Sequence, residues 1–526
     1  YGALNALTTG VHNIAIGGTA MGGDPGPTTE SHNLAMGVNV MGGNIAGGEY
    51  NVSIGNYSAQ SLTSGDNNVL VGYSTGANIV SAGNTTCVGF EAGKENTAHE
   101  LTAFGSKAAT NNTSGGGITA IGREAYDTAD TEDHNMAIGL NAMGGPVAGG
   151  EYNIAIGNYT LDALTSADKN VAVGYQAGSA INSGGANTLI GHEAGKTITT
   201  GTFNTFVGFE SGDSFDTESS NIGIGSSALG GPIAGGEANV AIGNSTLDAL
   251  TSGDNNVAIG HNAGSALTTS FNNVFIGYNA GSSGNVTGNG TNNAIGSSAM
   301  PSVAAGIYNN SIGGSSLGAL TSGNNNIAMG HDSGGTNQTG DHNTYIGYKT
   351  AASGTNVDNE IAIGHGASTT TFPALGTGTI KMGMYNNYIS NTFTSNANWA
   401  HSSDERWKKN INNNDIGLDF INDLRTVTYN WKPFAELDPS LSEYNPEETE
   451  YIHPEIQHGL IAQEVKSALK KHNIDQFAGW YEDKIHADKQ QGISESMYVI
   501  PLIKAVQELS TQNEELKTRI TALEDA

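Results

Sequence analysis

The chain has 526 residues, of which 75 are glycine and 13% are charged, and its formal charge is −30. No ordinary globular enzyme carries that composition; the missing Gly-X-Y period argues against collagen, and plentiful, regularly placed aliphatic residues argue against disorder. Residues 1–400 hold 7 Lys+Arg against 27 Asp+Glu and residues 401–526 hold 13 against 23, so both parts repel phosphate backbones and anionic lipid, which argues against nucleic-acid binding.

Tyr1 already lies inside a repeat, so an attachment or targeting segment is expected ahead of it. Cys87 is the single cysteine and can form no intrachain disulfide. No run approaches the roughly 18 to 20 apolar residues that cross a bilayer, so no membrane insertion is expected.

From the start of the chain a motif Asn-φ-small-φ-Gly recurs, as in Asn153-Ile154-Ala155-Ile156-Gly157. Its closing glycines run from Gly17 to Gly364 in 21 copies, most of them 17 residues apart. The residue four before the glycine is Asn in 17 of the 21, and the residue three after it is small in all but Val40. Strict apolar alternation reads as a short strand. Each repeat is therefore predicted to be one coil of strand, glycine turn, second strand and polar turn, stacked in register on the next. Isoleucine over isoleucine would make a thin continuous core, and asparagine over asparagine an amide ladder. At about 4.8 Å per coil, 20 steps give a rod of roughly 95 Å. So thin a roll has a poor surface-to-volume ratio, which argues for several chains side by side, preferably three. The pattern resembles the parallel β-roll heads of trimeric autotransporter adhesins, which have a similar Val-Ala-Ile-Gly core but a shorter repeat. Met143–Glu151 returns nearly intact as Leu229–Glu237, a sign of segmental duplication.

Aromatic residues follow several ladder glycines, at Tyr73, Phe90, Tyr175, Phe209, Tyr278 and Tyr348. Such a row can face sugar rings, but stacking along the coils or against a sister chain is the favoured reading. His192, His261, His331 and His365 share that position; no metal site and no cofactor are expected there, because neighbouring coils bring no further ligand. Turns such as Ser64–Asn68 and Ser252–Asn256 lack the spacing of calcium-binding rolls and are read as turns closed on their own backbone. No pair of carboxylates suggests a glycosidase.

The period stops after Gly364, giving a solenoid over 1–366 and a neck over 367–402 with an extended run at Thr379–Met384. Charges, tryptophans and helical periodicity then appear near Ser403. The opening Ser403-Asp404-Glu405-Arg406-Trp407-Lys408-Lys409-Asn410-Ile411 is followed by Gly417–Arg425, Thr428–Lys432 and His458–Val465. These blocks, in this order, resemble the endosialidase-type intramolecular chaperone auto-processing domain of phage tail fibres and tail spikes, across 403–526. The resemblance implies a small α+β domain that trimerises, guides folding and then cuts the chain between Ser402 and Ser403. Ser403 would be the nucleophile and Lys408 the general base, a single-turnover serine endopeptidase. A serine hydroxyl needs such a base, and lysine serves once burial lowers its pKa. Ser402 and Lys409 remain alternatives to their neighbours, and His401, His453 and His458 are candidate assistants.

Leu502, Val506, Leu509, Asn513, Leu516, Ile520 and Leu523 follow a 4-3 spacing, the seam of a coiled coil over 502–523. The fold class is thus mainly β: a trimeric β-solenoid rod followed by a small α+β chaperone domain and a coiled coil. The expected function is a host-recognition tail fibre of a virion, made in the host cytoplasm. Its partners would be two further copies and a host receptor or glycan. A bacterial surface adhesin would need a membrane-anchoring barrel, and a membrane-tethered transcription factor of the myelin-regulatory type would need a basic DNA-binding domain and a transmembrane helix.

Overall fold

The computed structural model describes the chain except residues 1, 3–9, 23–29, 44, 284–290, 367–370, 385–386, 393–395, 402–404, 442–443, 450–454, 483–489 and 526. It divides into two compact units, Tyr1–Ser402 and Ser403–Ala526. The first is a parallel β-solenoid built by the repeat. Ile154-Ala155-Ile156 lies beside Val171-Ala172-Val173, and that strand beside Thr188-Leu189-Ile190, in register. The same pairing runs from Ile14–Ile16 to Ile361–His365.

Among the described residues most coils hold one strand and not the two expected; only at the C-terminal end of the rod does a second strand, Thr350–Ala351, pair in parallel with Phe372–Pro373. After the closing glycine the chain turns through left-handed residues two and four positions on, such as Gln176 (φ 54°) and Gly178 (φ 59°), with a third at Lys169 (φ 60°) ahead of the strand. Residues at positive φ cannot extend a pleated strand. Their amides pair between coils instead, Gln176 N–H with the Asn158 carbonyl at 3.1 Å and Gly178 N–H with the Ala194 carbonyl at 3.0 Å. The small residue between them does lie in a tight place: Ala177, Ala194 and Ser211 are fully buried. The closing glycine is required twice over. Gly174 has φ 138°, and a Cβ there would stand 2.2 Å from the Gly191 carbonyl oxygen of the next coil.

The interior also differs from the expected isoleucine core. Only the middle residue of each strand points inward, as Ala155, Ala172, Leu189 and Phe206 do, all fully buried. Isoleucines on either side turn outward; Ile156, Ile190, Ile224, Ile242 and Ile259 are 36–40% exposed. An interior that accepts Ala at most strands has no room for two flanking β-branched side chains as well. It is closed by residues from the turns, Leu164, Ile181, Ile198, Phe215 and Leu250, also fully buried. Large inward residues fit where the turn supplies glycine: a Cβ on Gly212 would stand 2.4 Å from the Phe206 ring, and one on Gly178 2.7 Å from Leu189.

The amide ladder forms as expected. The Asn170 side-chain oxygen accepts both the backbone and side-chain N–H groups of Asn187 at 3.0 Å. Asn187 in turn donates to the Gly201 carbonyl at 2.9 Å and accepts the Asn204 backbone N–H at 2.9 Å. All of these groups are buried. Asn187→Leu keeps the volume and strands two backbone partners, the Gly201 carbonyl and the Asn204 N–H. At about 1–3 kcal/mol for each buried unsatisfied group, a loss of about 2–6 kcal/mol is expected, read as a lower denaturant midpoint for the rod. An unchanged midpoint would show the ladder to be passive.

Glu360 replaces asparagine at the end of the ladder. Its carboxylate accepts from the Tyr345 hydroxyl (3.0 Å), the Ser353 amide (3.0 Å) and hydroxyl (2.8 Å), and the Gly376 amide (3.2 Å). The sheet nevertheless continues past the last repeat. Thr379–Met384 pairs in parallel with Ile361–His365, and the antiparallel strands Asn387–Thr392 and Asn396–His401 follow. Lys381 takes the inward place beside Ala362 and lays its ammonium 4.1 Å and 4.3 Å from the Phe372 and Tyr388 ring centres, bonded to the Pro373 carbonyl at 2.9 Å. It covers the hydrophobic end of the roll with its stem, and burial lowers its pKa.

The second unit is small. Helices α1 (Leu418–Asn422), α2 (Ala462–Lys471) and α3 (Val499–Glu524) accompany two antiparallel pairs, Val427–Tyr429 with Gln457–Gly459 and Trp480–Glu482 with Gln491–Ile493. Phe420, Val465, Ala468, Leu469 and Tyr498 form its core. Among the described residues no helix is long and apolar enough to cross a membrane.

Candidate functional site

The sequence blocks that carried the resemblance, 30 to 40 residues apart in part, meet in the second unit. Thr428 pairs directly with His458, which joins the Thr428–Lys432 block to His458–Val465. Arg425, closing the Gly417–Arg425 block, makes a two-point ion pair with Glu464 of His458–Val465, at 3.0 and 2.5 Å. Asp423 binds Lys471 at 2.7 Å and His472 at 2.5 Å. The Glu508 carboxylate of α3 accepts the Leu418 backbone N–H at 2.7 Å, beside Lys504 at 3.3 Å, and so satisfies an amide at the start of α1.

Hydrogen bonds from Lys471 and then His472 hold the Asp423 carboxyl below its usual range. A depressed carboxyl stabilises the fold above its unfolded pKa, about 3.9, and that contribution is lost as pH falls through the folded value. Asp423→Asn is therefore expected to lower the Tm of this unit at pH 7 by more than it does at acid pH, where the carboxyl is protonated in both states. Tryptophan fluorescence reads this, since Trp407, Trp431 and Trp480 lie in the unit. A variant that loses Tm equally at both pH values would show that the clamp acts by packing.

The proposed scissile residues Ser402 and Ser403 lie outside the described residues, as does His453. A short 3-10 turn, Glu405–Trp407, precedes Lys408, whose backbone N–H bonds to the Glu405 carbonyl at 2.9 Å. Lys408 and Lys409 are both exposed on the single chain, so exposure does not choose between them. His458 is exposed and lines a groove of about 670 Å³ together with Ile421, Leu424, Glu495, Tyr498 and Leu502. His401 ends a strand of the first unit.

Helix α3 runs unbroken through the predicted seam. On the single chain Leu502, Val506, Leu509, Leu516, Ile520 and Leu523 are 47–77% exposed, an apolar stripe largely open to solvent.

The aromatic row of the rod stacks along the coils. Tyr73 and Phe90 are parallel within 9° at 5.5 Å, and His192 lies between Tyr175 and Phe209 at 5.2 Å from each. Glu193 and Glu210 bring carboxylate oxygens within 4.8 Å of the His192 ring nitrogen, ligand-type neighbours that the sequence reading did not foresee. Glu193 is already paired with Lys196 at 3.0 Å. In the polar turns, Asp66 and Asp254 accept the Glu49 and Glu237 amides of the preceding coil at 2.8 Å, where bonds within the turn were expected.

Fold and site together define a β-solenoid rod that carries a separate small α+β unit at its C-terminal end. Residues 403–474 match the family described as chaperone of endosialidase. The matched residues make up most of the C-terminal unit, which thus carries a chaperone-of-endosialidase domain behind a β-solenoid rod. Domains of this family are self-cleaving chaperones that associate as trimers. The match ends just after α2, so α3 lies beyond it. No curated protein and no solved structure matches the chain.

Proposed function

We propose that this chain is the subunit of a trimeric phage tail fibre, a host-recognition rod of the virion made in the host cytoplasm. In this reading the C-terminal unit aligns three copies, promotes folding of the rod and then severs itself. The observation that carries the reading is the outward apolar face of the solenoid. Ile156, Ile190, Ile224, Ile242, Ile259, Ile295 and Ile312 stand in one column, each 36–43% exposed. With the residues on the other side of each inward position, the column forms an apolar stripe along the solenoid, and contiguous exposed apolar surface of this kind marks an interaction site. A rod with that surface needs its copies aligned before it folds, and a chaperone-type domain follows it directly.

The cleavage chemistry follows from adjacency. Lys408, as the free amine, takes the Ser403 hydroxyl proton while Oγ attacks the Ser402 carbonyl carbon. The tetrahedral intermediate collapses, the C–N bond breaks, and the proton passes from Lys408 to the departing Ser403 amine. Water then hydrolyses the ester that joins the Ser402 carbonyl to Ser403 Oγ. No substrate has to be captured, because the bond lies beside the nucleophile. In this reading the cut follows assembly, so that the rod is released once it has folded. Intact-mass measurement of purified chain tests this. Fragments 1–402 and 403–526 are expected; a trimer that stays uncut overturns it.

A further inference from the structure

The position just after the ladder glycine follows a longer pattern than single aromatics. Read coil by coil it gives Asn56, Tyr73, Phe90, Ser106; then Asn158, Tyr175, His192, Phe209, Ser226; then Asn244, His261, Tyr278, Ser297. Three times a stack of rings opens above an asparagine and stops beneath a serine. Within a stack the ring faces cover one another at 5.2–5.6 Å. Serine is too short to cover the last ring, so Phe90, Phe209 and Tyr278 have no ring beyond them; Phe209 and Tyr278 are 50% and 56% exposed, against 43–46% for Tyr175 and Tyr73 within the stacks, and Phe90 matches Tyr73 at 46%. Beyond the serine the matching residues are Arg123, Asn244 and Gly314. Asn244 is drawn down to the Ser226 amide at 3.1 Å, which leaves the space over Phe209 one coil deep.

We propose that these three shelves are binding sites for neutral pyranose rings, each sugar continuing an interrupted aromatic stack. A coil spacing of about 4.8 Å is the thickness of one stacked ring, and the C–H face of a pyranose packs on an aromatic face as a further ring would. Phe90 and Phe209 are each followed by a carboxylate that accepts hydrogen bonds from hydroxyls, Glu91 and Glu210. The acidic surface of residues 1–400, 7 Lys+Arg against 27 Asp+Glu, disfavours sialylated, sulfated or phosphorylated sugars. The shelves lie past the turn glycine, off the strand that carries the isoleucine column. The inference deepens the host-recognition reading and rests on it only for its biological meaning.

The test uses the assembled, processed fibre on an array of neutral gluco-, galacto- and manno-oligosaccharides, with sialylated and sulfated oligosaccharides as anionic controls. Binding to at least one neutral class is expected, and the F90A/F209A/Y278A variant should lose about 10-fold or more in affinity. A second variant, S106F/S226F, fills the first two shelves with a ring that lies directly beneath Arg123 and Asn244, as the fold already tolerates in adjacent coils, and should weaken binding without removing any platform. Binding of anionic sugars alone, no binding to any neutral class, or wild-type affinity in both variants would overturn the inference. Cleavage is scored on the same preparation. A fibre that assembles and cuts but binds no neutral sugar sinks this inference alone, whereas an uncut monomer sinks the fibre reading.

Discussion

Ser403→Ala is expected to leave a single full-length band on a denaturing gel, where the parent chain gives two fragments meeting at Ser402 and Ser403. The alanine removes the attacking oxygen and nothing else, and no water-based route replaces an oxygen already held beside the bond. Loss of a nucleophile in a group that works as a unit costs many orders of magnitude in rate, so no residual cut should appear over days. Lys408→Ala should give the same single band, and Lys409→Ala should cut normally; the reverse result would move the base by one residue. Ser402→Ala should still be cut, which separates the nucleophile from its neighbour. Trimers of Ser403→Ala are expected to form, because folding precedes the cut in this reading. They should unfold at lower denaturant after dilution than cleaved rods, since an attached chaperone keeps the refolding route open.

The second large effect is expected at the outward column. In I224D/I242D/I259D three adjacent coils each gain a charge at a side chain that is 36–38% exposed in the single chain. Folding of one coil is little affected, because the inward Gly223, Ala241 and Ala258 are unchanged. Assembly is affected severely. Three chains would bring nine carboxylates into an apolar contact, each costing several kcal/mol after relaxation, and light scattering should find monomers or aggregates in place of trimers. The same variant should then fail to cut itself if cleavage awaits assembly. Trimers of normal stability in this variant would place the contact between copies elsewhere on the rod.

Much of this was legible before any coordinates. Asparagine at a constant distance before glycine announced the amide ladder, since a side chain that both donates and accepts can satisfy its copies above and below. The blocks downstream of position 403 announced a chaperone-of-endosialidase domain, and the fold joins them by the Arg425–Glu464 and Thr428–His458 contacts. Legible in principle but misread was the direction of the isoleucines. Alanine at the centre of most strands already signalled an interior too narrow for the flanking pair, but alternation alone names two faces and does not say which one is inside.

By itself the sequence determined periodicity, the parallel in-register stack, the ladder and the place where the rod gives way to a different kind of domain. These follow from local spacing, and an in-register repeat admits few other arrangements. Tertiary structure alone decided that the second arm of most coils is a left-handed turn, that Lys381 covers the end of the roll, and that the apolar column faces out. Those outcomes depend on which volumes fit together across the interior, a property of whole coils that no single residue carries.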